Sequence, residues 1–136
     1  MKFAAGLLIC HTDARGVTRY LLQKRSKAVR FGGTWSTIGG RLRKHEKAYR
    51  GAFREAVEEM GPFPRVKAVD RHAARTGDLV YITFTAKAPC RFWPTNTDDH
   101  ESDGYGWFTL AEVHALPLHP LFAKALRQLT REEGVA

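Results

Sequence analysis

Residues 46–62, EKAYRGAFREAVEEMGP, constrain the fold more than any other stretch of this chain. A helix is predicted from about Glu46 to Met60, because apolar side chains recur there at helical spacing and Gly61 and Pro62 then stop it. Tyr49, Phe53, Ala56, Val57 and Met60 fall in a stripe about 100° wide, so one helical face must be covered by other elements. Glu55, Glu58 and Glu59 lie elsewhere on the cylinder, within about 100° of one another at 3.6 residues per turn. Like charges so spaced repel by about 0.2–0.5 kcal/mol per pair, and acids near a helix C-terminus oppose the macrodipole. Their neighbours Ala48, Gly51 and Ala52 are small, although a glycine inside a helix costs about 1 kcal/mol relative to alanine. A merely solvated face would carry longer polar residues. The small neighbours leave room for something to sit on the carboxylates, and local conflicts that converge on one spot mark a functional site.

Charge deepens the contrast. The 136-residue chain has a net charge of +8. From Arg19 to Arg54 there are 11 of its 22 Lys and Arg residues, and Glu46 is the only acid. A basic segment running into an acidic helix face suits a polyanion held through a divalent metal, with cations on the phosphates and carboxylates on the ion.

The length predicts one domain, residues 1–136, and the 43% apolar content supplies an ordinary core. The run FAAGLLIC is too short to cross a bilayer and lacks a cleavage-site pattern, so it reads as a first buried strand. Cys10 and Cys90 are far apart without CxxC spacing; they read as free thiols or core residues of a cytoplasmic protein with no membrane partner. Strands are predicted at Phe3 to Cys10, Val17 to Gln23, Val66 to Val69, Leu79 to Lys87 and near Trp107, with loops through FGGTWSTIGG and APCRFWPTNTDDHESDGYG. Thr109 with Glu112 forms a capping box for a short helix. Pro120 opens a last helix that turns Leu121, Phe122, Ala125, Leu126 and Leu129 inward. The order is mixed α and β in layers.

Upstream of the helix the spacing is more specific. Gly40, five residues, Glu46, seven residues, then Arg54, Glu55, Ala56, Val57, Glu58, Glu59, Met60 and Gly61 follow the pattern Gx5Ex7REUxEExGU over residues 40–62, where U is a bulky aliphatic residue. On these residues the chain resembles a Nudix hydrolase of the MutT-like kind, and the likeness extends to RYLLQKRS, GTWSTIGG and WFTLAEV. Ala56 is a small version of the aliphatic position, Pro62 replaces the final one, and Ile38 stands where many members have proline. None of these changes removes a ligand.

The resemblance implies an α/β/α sandwich around a mixed sheet, and hydrolysis of a nucleoside diphosphate linked to another moiety with Mg²⁺ or Mn²⁺. Carried over by position, Glu55, Glu58 and Glu59 hold metal with the Gly40 carbonyl, while Arg54 pairs with Glu46 to brace loop against helix. Glu55 is one candidate general base; Glu101, on the loop before Trp107, is the other, as base or further ligand. Arg25, Arg30 and Arg41 are candidate phosphate grips. Phe31, Tyr81 and Tyr105 are aromatic residues that could stack a base. The histidines His11, His45, His72, His100, His114 and His119 show no metal spacing and read as structural or exposed.

Subgroup signatures narrow the substrate. Where the ADP-ribose subgroup tends to carry a proline, this chain has AARTGD; Tyr81 comes late for the dinucleoside polyphosphate subgroup; LLQKRSKAVR fits half of a coenzyme A signature, which Thr34 and Ile38 then break. Elimination leaves a nucleoside triphosphate or related nucleotide, cleaved to monophosphate and pyrophosphate. Two alternatives stand beside it: a pyrophosphohydrolase acting on the 5′ end of RNA, and a non-catalytic nucleotide sensor. Oligomeric state is not readable from these residues.

Overall fold

The computed structural model describes residues 1–96 and 102–132. In chain order the elements are β1 (Lys2–Thr12), β2 (Thr18–Arg25), β3 (Trp35–Ser36), β4 (Ile38–Arg41), α1 (Ala48–Met60), β5 (Lys67–Thr76), β6 (Leu79–Lys87), β7 (Ser102–Thr109), α2 (Leu110–His114) and α3 (Pro120–Glu132). The strands form one mixed sheet. Central β1 runs parallel to β6 and antiparallel to two other strands, pairing with β4 through Ala4 to Leu7 and with β2 through Ile9 to Thr12. β7 continues the sheet from β2, and β5 lies outside β6.

β1 reads as an unbroken apolar run because both faces are covered. Ala5, Leu7 and Ile9 pack with Ala52, Ala56 and Met60 of α1. Leu8 and Cys10 pack on the other side with Val113, Phe122, Leu126 and Leu129 of α2 and α3. The result is an α/β/α sandwich, and the capping box at Thr109 and the inward residues of α3 are as the pattern predicts.

Three differences from the sequence reading have physical causes. First, β5 extends to Thr76, well beyond the predicted Val69; it is an edge strand in which only His72 and Ala74 are buried, so it carries no apolar alternation to read. Second, β3, β4 and the start of β7 lie in segments read as loops, because β3 is only two residues long, glycines depress the strand propensity of the other two, and pairing to β2 and β1 holds them. Third, the buried side of α1 is rotated from the predicted stripe: Gly51, Ala52, Ala56, Glu59 and Met60 are buried, while Phe53 is 42% and Val57 37% exposed. The helix approaches the sheet through its small residues. A Cβ on Gly51 would collide with the Leu42 side chain and lie 2.9 Å from a Glu46 oxygen. The space beside the glutamates is thus filled by the protein itself.

Candidate active site

Arg54 sits at the centre of a charge network. Its Nε and Nη2 donate to the two Glu46 oxygens at 2.7 and 2.9 Å. Its Nη1 donates to Glu55 at 3.1 Å and to Glu58 at 3.2 and 3.3 Å, and Nη2 reaches the Arg41 carbonyl at 3.3 Å. Glu46 also accepts from the Arg43 backbone N–H at 2.9 Å, so it ties the turn after β4 to the helix. The helix itself begins at Ala48, not Glu46, because Glu46 is held in that turn, where His45 adopts φ 64°. The Arg54 hydrogen bonds, with the Arg43 N–H second, lower the Glu46 carboxyl to about 2, and the same acids raise Arg54.

The three glutamates of the helix do not share one environment. The Glu58 side chain is half exposed, Glu55 is 20% exposed and Glu59 is buried, so their arc runs from solvent into the interior. Glu55 lies directly on the backbone of Gly40: a Cβ there would be 2.6 Å from Glu55 Cδ and 2.7 and 2.9 Å from its oxygens. Only glycine allows this approach. Glu55 and Glu58 already converge on a single cationic nitrogen, and their donors are hard oxygens, the type that suits Mg²⁺ or Mn²⁺. The residues therefore fit such an ion, although among the described residues no group of three or more His, Cys, Asp or Glu side chains converges as a preformed chelate.

The C-terminal end of α1 is held by the segment that follows. Thr95 and Asn96 N–H groups donate to the Met60 carbonyl at 2.9 and 3.0 Å, Asn96 Nδ2 to the Glu58 carbonyl at 3.1 Å, and Tyr105 Oη to the Glu59 carbonyl at 3.3 Å. Tyr105 thereby supports the helix and belongs to the core. Glu101 and His100 lie outside the described residues.

A cavity of about 530 Å³ opens beside Gly40 and Glu55. Arg25, Arg41, Thr37, Tyr81, His119 and Phe122 also line it. Arg30 is not on its wall, and instead sits 4.9 Å over the Phe31 ring, while Arg25 Nε donates to the Arg30 carbonyl at 2.9 Å. Phe31 is 40% exposed and meets His119 edge-on, with ring centroids 4.8 Å apart. Tyr81 Oη and Thr37 Oγ1 are 2.9 Å apart across Gly6, whose missing side chain admits the pair. Burial raises the Tyr81 phenol to about 12, so it stays protonated.

Residues 2–130 match the NUDIX domain family. The chain belongs to this family. Members generally use divalent metals. A Mycobacterium tuberculosis protein named "Putative 8-oxo-dGTP diphosphatase 3" is 32% identical over 131 residues, covering 93% of this chain and 60% of the relative. The chain thus spans about 60% of the length of the curated relatives it matches. Among solved structures, the Mycobacterium smegmatis Nudix hydrolase RenU is 28% identical, with a TM-score of 0.83 over 96% of this chain and 84% of that one. A Caenorhabditis elegans Ap4A hydrolase, at 18% identity, shares the fold with a TM-score of 0.76 over 98% of both chains.

Within this Nudix fold, sequence reading missed Thr37 and His119 as cavity residues. His119 had one local signal, its place just before Pro120 at the start of α3, where an accepting side chain caps the helix. Thr37 had none. Tyr81 reaches the cavity only because β6 pairs with β1, which sets Tyr81 opposite Ala4.

Proposed function

We propose that the chain is a metal-dependent hydrolase that cleaves a phosphoanhydride of a nucleotide, with a nucleoside triphosphate cut to monophosphate and pyrophosphate as its substrate class. The observation that carries this reading is the continuity of the Gly40 and Glu55 contact with a cavity of nucleotide size whose wall also holds Arg25 and Arg41. The Gly40 carbonyl, Glu55, Glu58 and Glu59 would hold Mg²⁺ or Mn²⁺. When bound, the ion offsets the carboxylate repulsion, polarises the phosphoryl oxygens and lowers the pKa of the attacking water.

The protein's own groups supply the remainder. Arg54 and Glu46 lock the β4 turn against α1, which keeps Gly40 beside Glu55. Arg25 and Arg41 grip phosphate oxygens with charge-assisted hydrogen bonds. Glu55, which lines the cavity, or Glu101 would take the proton of the attacking water. Water adds to phosphorus, the anhydride P–O bond breaks, and pyrophosphate leaves with the bonding pair. Such chemistry needs placement and charge more than covalent help.

The name of the M. tuberculosis relative adds oxidised purine nucleotides to the candidates. Two free thiols and a nucleotide substrate suit a cytoplasmic setting, and among the described residues no helix is long and apolar enough to cross a membrane. The test is pyrophosphate and phosphate release from nucleoside triphosphates, oxidised dGTP, ADP-ribose, dinucleoside polyphosphates, coenzyme A and 5′-triphosphorylated RNA, with Mg²⁺ and with EDTA. Metal-dependent turnover of nucleoside triphosphates is the expected result. Silence across the panel, with nucleotide binding retained, would replace the hydrolase with a sensor.

A further inference from the structure

The face of α1 turned away from Glu55 borders a separate concavity. At 3.6 residues per turn, Phe53 lies about 160° around the helix from Glu55. Two adjoining hollows, of about 550 and 870 Å³, open between this face and the segments 63–68 and 87–89. Tyr49, Arg65 and Val66 belong to the walls of both, so the two form one open groove. Neither shares a lining residue with the cavity beside Gly40.

The groove carries charge of one sign. Its charged lining residues are Arg50, Arg54, Arg65, Lys67 and Lys87. Arg54 is engaged by Glu46, Glu55 and Glu58, whereas among the described residues no carboxylate pairs with the other four, all of them exposed. Beside these cations stands a ladder of rings. Trp107 Nε1 donates to the Phe92 carbonyl at 2.8 Å and its ring meets Phe92 edge-on. Phe92 stacks on Phe63 with centroids 5.9 Å apart and planes 12° apart, and Phe63 meets Phe53 at 5.2 Å. Phe53 ends the ladder 42% exposed. An exposed ring held in place by a chain of other rings offers a fixed flat surface to a ligand, with little left to order on binding. The Tyr49 ring meets Phe84 edge-on at 5.2 Å, and among the described residues its hydroxyl has no hydrogen-bond partner.

A ligand that matches both features carries repeated negative charge and flat rings free to stack. A duplex hides its bases in its own stack, an acidic peptide has no ring at each repeat, and a free nucleotide spans one hollow and leaves the charges of the other unmatched. We propose that the groove is a docking site for single-stranded RNA, with a base stacked on Phe53, phosphates held by Arg50 and Arg65 and then by Lys67 and Lys87, and a ribose 2′-hydroxyl bonded to Tyr49 Oη. The phenol donates and accepts, as the 2′-hydroxyl does, and that contact favours RNA over DNA. The strand lies across α1 from Glu55, so docking does not depend on the nucleotide-hydrolase reading of the other cavity.

Fluorescence anisotropy of a short labelled oligouridine on the full chain tests the groove, in EDTA so that no metal-dependent cleavage enters. Wild type should bind it with an affinity that falls steeply with salt, and more tightly than oligodeoxyuridine. Arg50→Ala combined with Arg65→Ala should reduce the slope of log affinity against log salt by about 1.4, since each phosphate contact on a single strand contributes about 0.7. Phe53→Ala should weaken binding about tenfold and leave that slope unchanged. Tyr49→Phe should bring oligouridine and oligodeoxyuridine to equal affinity. Arg50, Phe53 and Arg65 are exposed, so their truncation keeps the fold, which circular dichroism checks. No binding, equal affinity of wild type for the two strands, tighter capture of a polyglutamate peptide, or an affinity that Phe53→Ala leaves unchanged would overturn the proposal. Loss of binding in Arg25→Ala with full binding in the groove variants would overturn it too, by putting the strand in the cavity beside Gly40.

Discussion

The two ends of the cavity are built on different plans. At the helix end, Glu46, Glu55 and Glu58 meet on one guanidinium, and all come from the stretch between Gly40 and Gly61. At the neutral end, Thr37, Tyr81 and His119 come from three separated stretches, brought together by the pairing of β1 with β6 and by the bridge between Trp35 and Leu118. A charged network is strongly coupled, because removing one member leaves its partners facing uncompensated charge. A neutral wall of hydrogen-bonding groups is coupled weakly, and a change there alters which ligand fits more than whether anything happens. If the proposed function holds, catalytic demand and substrate choice would be separable within one cavity.

The largest expected effect breaks the helix end. Glu55→Gln keeps the size and the contact with Gly40 but removes the charge, and should lower kcat by about 10³-fold or more while the nucleotide Kd changes by less than about threefold. Single-turnover kinetics beside calorimetry would check it; equal losses in kcat and in affinity would show that the two ends are not separable.

Arg54 should come next, with an effect on stability as well as rate. Its side chain is 19% exposed, Glu46 14% and Glu55 20%, so Arg54→Ala leaves Glu46 and Glu55 crowded with little screening and should cost about 2 kcal/mol in urea unfolding. Arg54→Lys is the sharper probe. A lysine keeps the charge but cannot fork between Glu46 and Glu55, so it should recover some stability and little activity.

This contrast also explains what could be read from sequence. Glu46, Arg54, Glu55 and Glu58 lie within a few turns of chain, so spacing alone places them near one another, and the Gly61 stop and the Thr109 capping box are local in the same sense. The orientation of α1 was not legible, because it depends on how closely Gly51 and Ala52 let the helix approach Leu42 and β1, a property of the partner surface. Nor was β5, whose edge position removes the apolar alternation that reveals a strand. Thr37 and His119 meet Tyr81 only after strand pairing, and no interval in the sequence encodes a distance between them.

A smaller effect should sharpen the neutral end. Gly6 admits the Tyr81 and Thr37 hydroxyls, and a Cβ at this position would collide with Tyr81 Oη and lie 2.9 Å from Thr37 Oγ1. Gly6→Ala should displace that pair, raise KM by about tenfold and leave kcat within about threefold, since overpacking at a hydrogen-bonded contact costs about 1–3 kcal/mol. A fall in kcat as large as that in Glu55→Gln would tie the two ends together.

The smallest effect separates the ends by pH, because each holds one group whose displaced titration falls on the acid side of neutrality. His119 titrates at about 4 in the fold against 6.5 ordinarily, so its contribution to stability is complete above pH 6.5 and declines as pH falls from 6.5 toward 4. Glu46 titrates at about 2 against 4.5, so its contribution is complete above pH 4.5 and declines from there toward 2. Asp13 and Glu112 are lowered as well and add to the acid limb, which is why variants are needed to isolate each group. Thermal unfolding followed from pH 8 to 2 should show His119→Asn flattening the decline between about 6.5 and 4, and Glu46→Gln flattening only the decline below about 4.5. The two windows overlap little because the causes differ: burial strips a proton from the histidine, whereas a guanidinium keeps one off the glutamate. If either variant flattened both windows, the charged end and the neutral end would be one cooperative unit, and the separation of rate from choice would lose its physical basis.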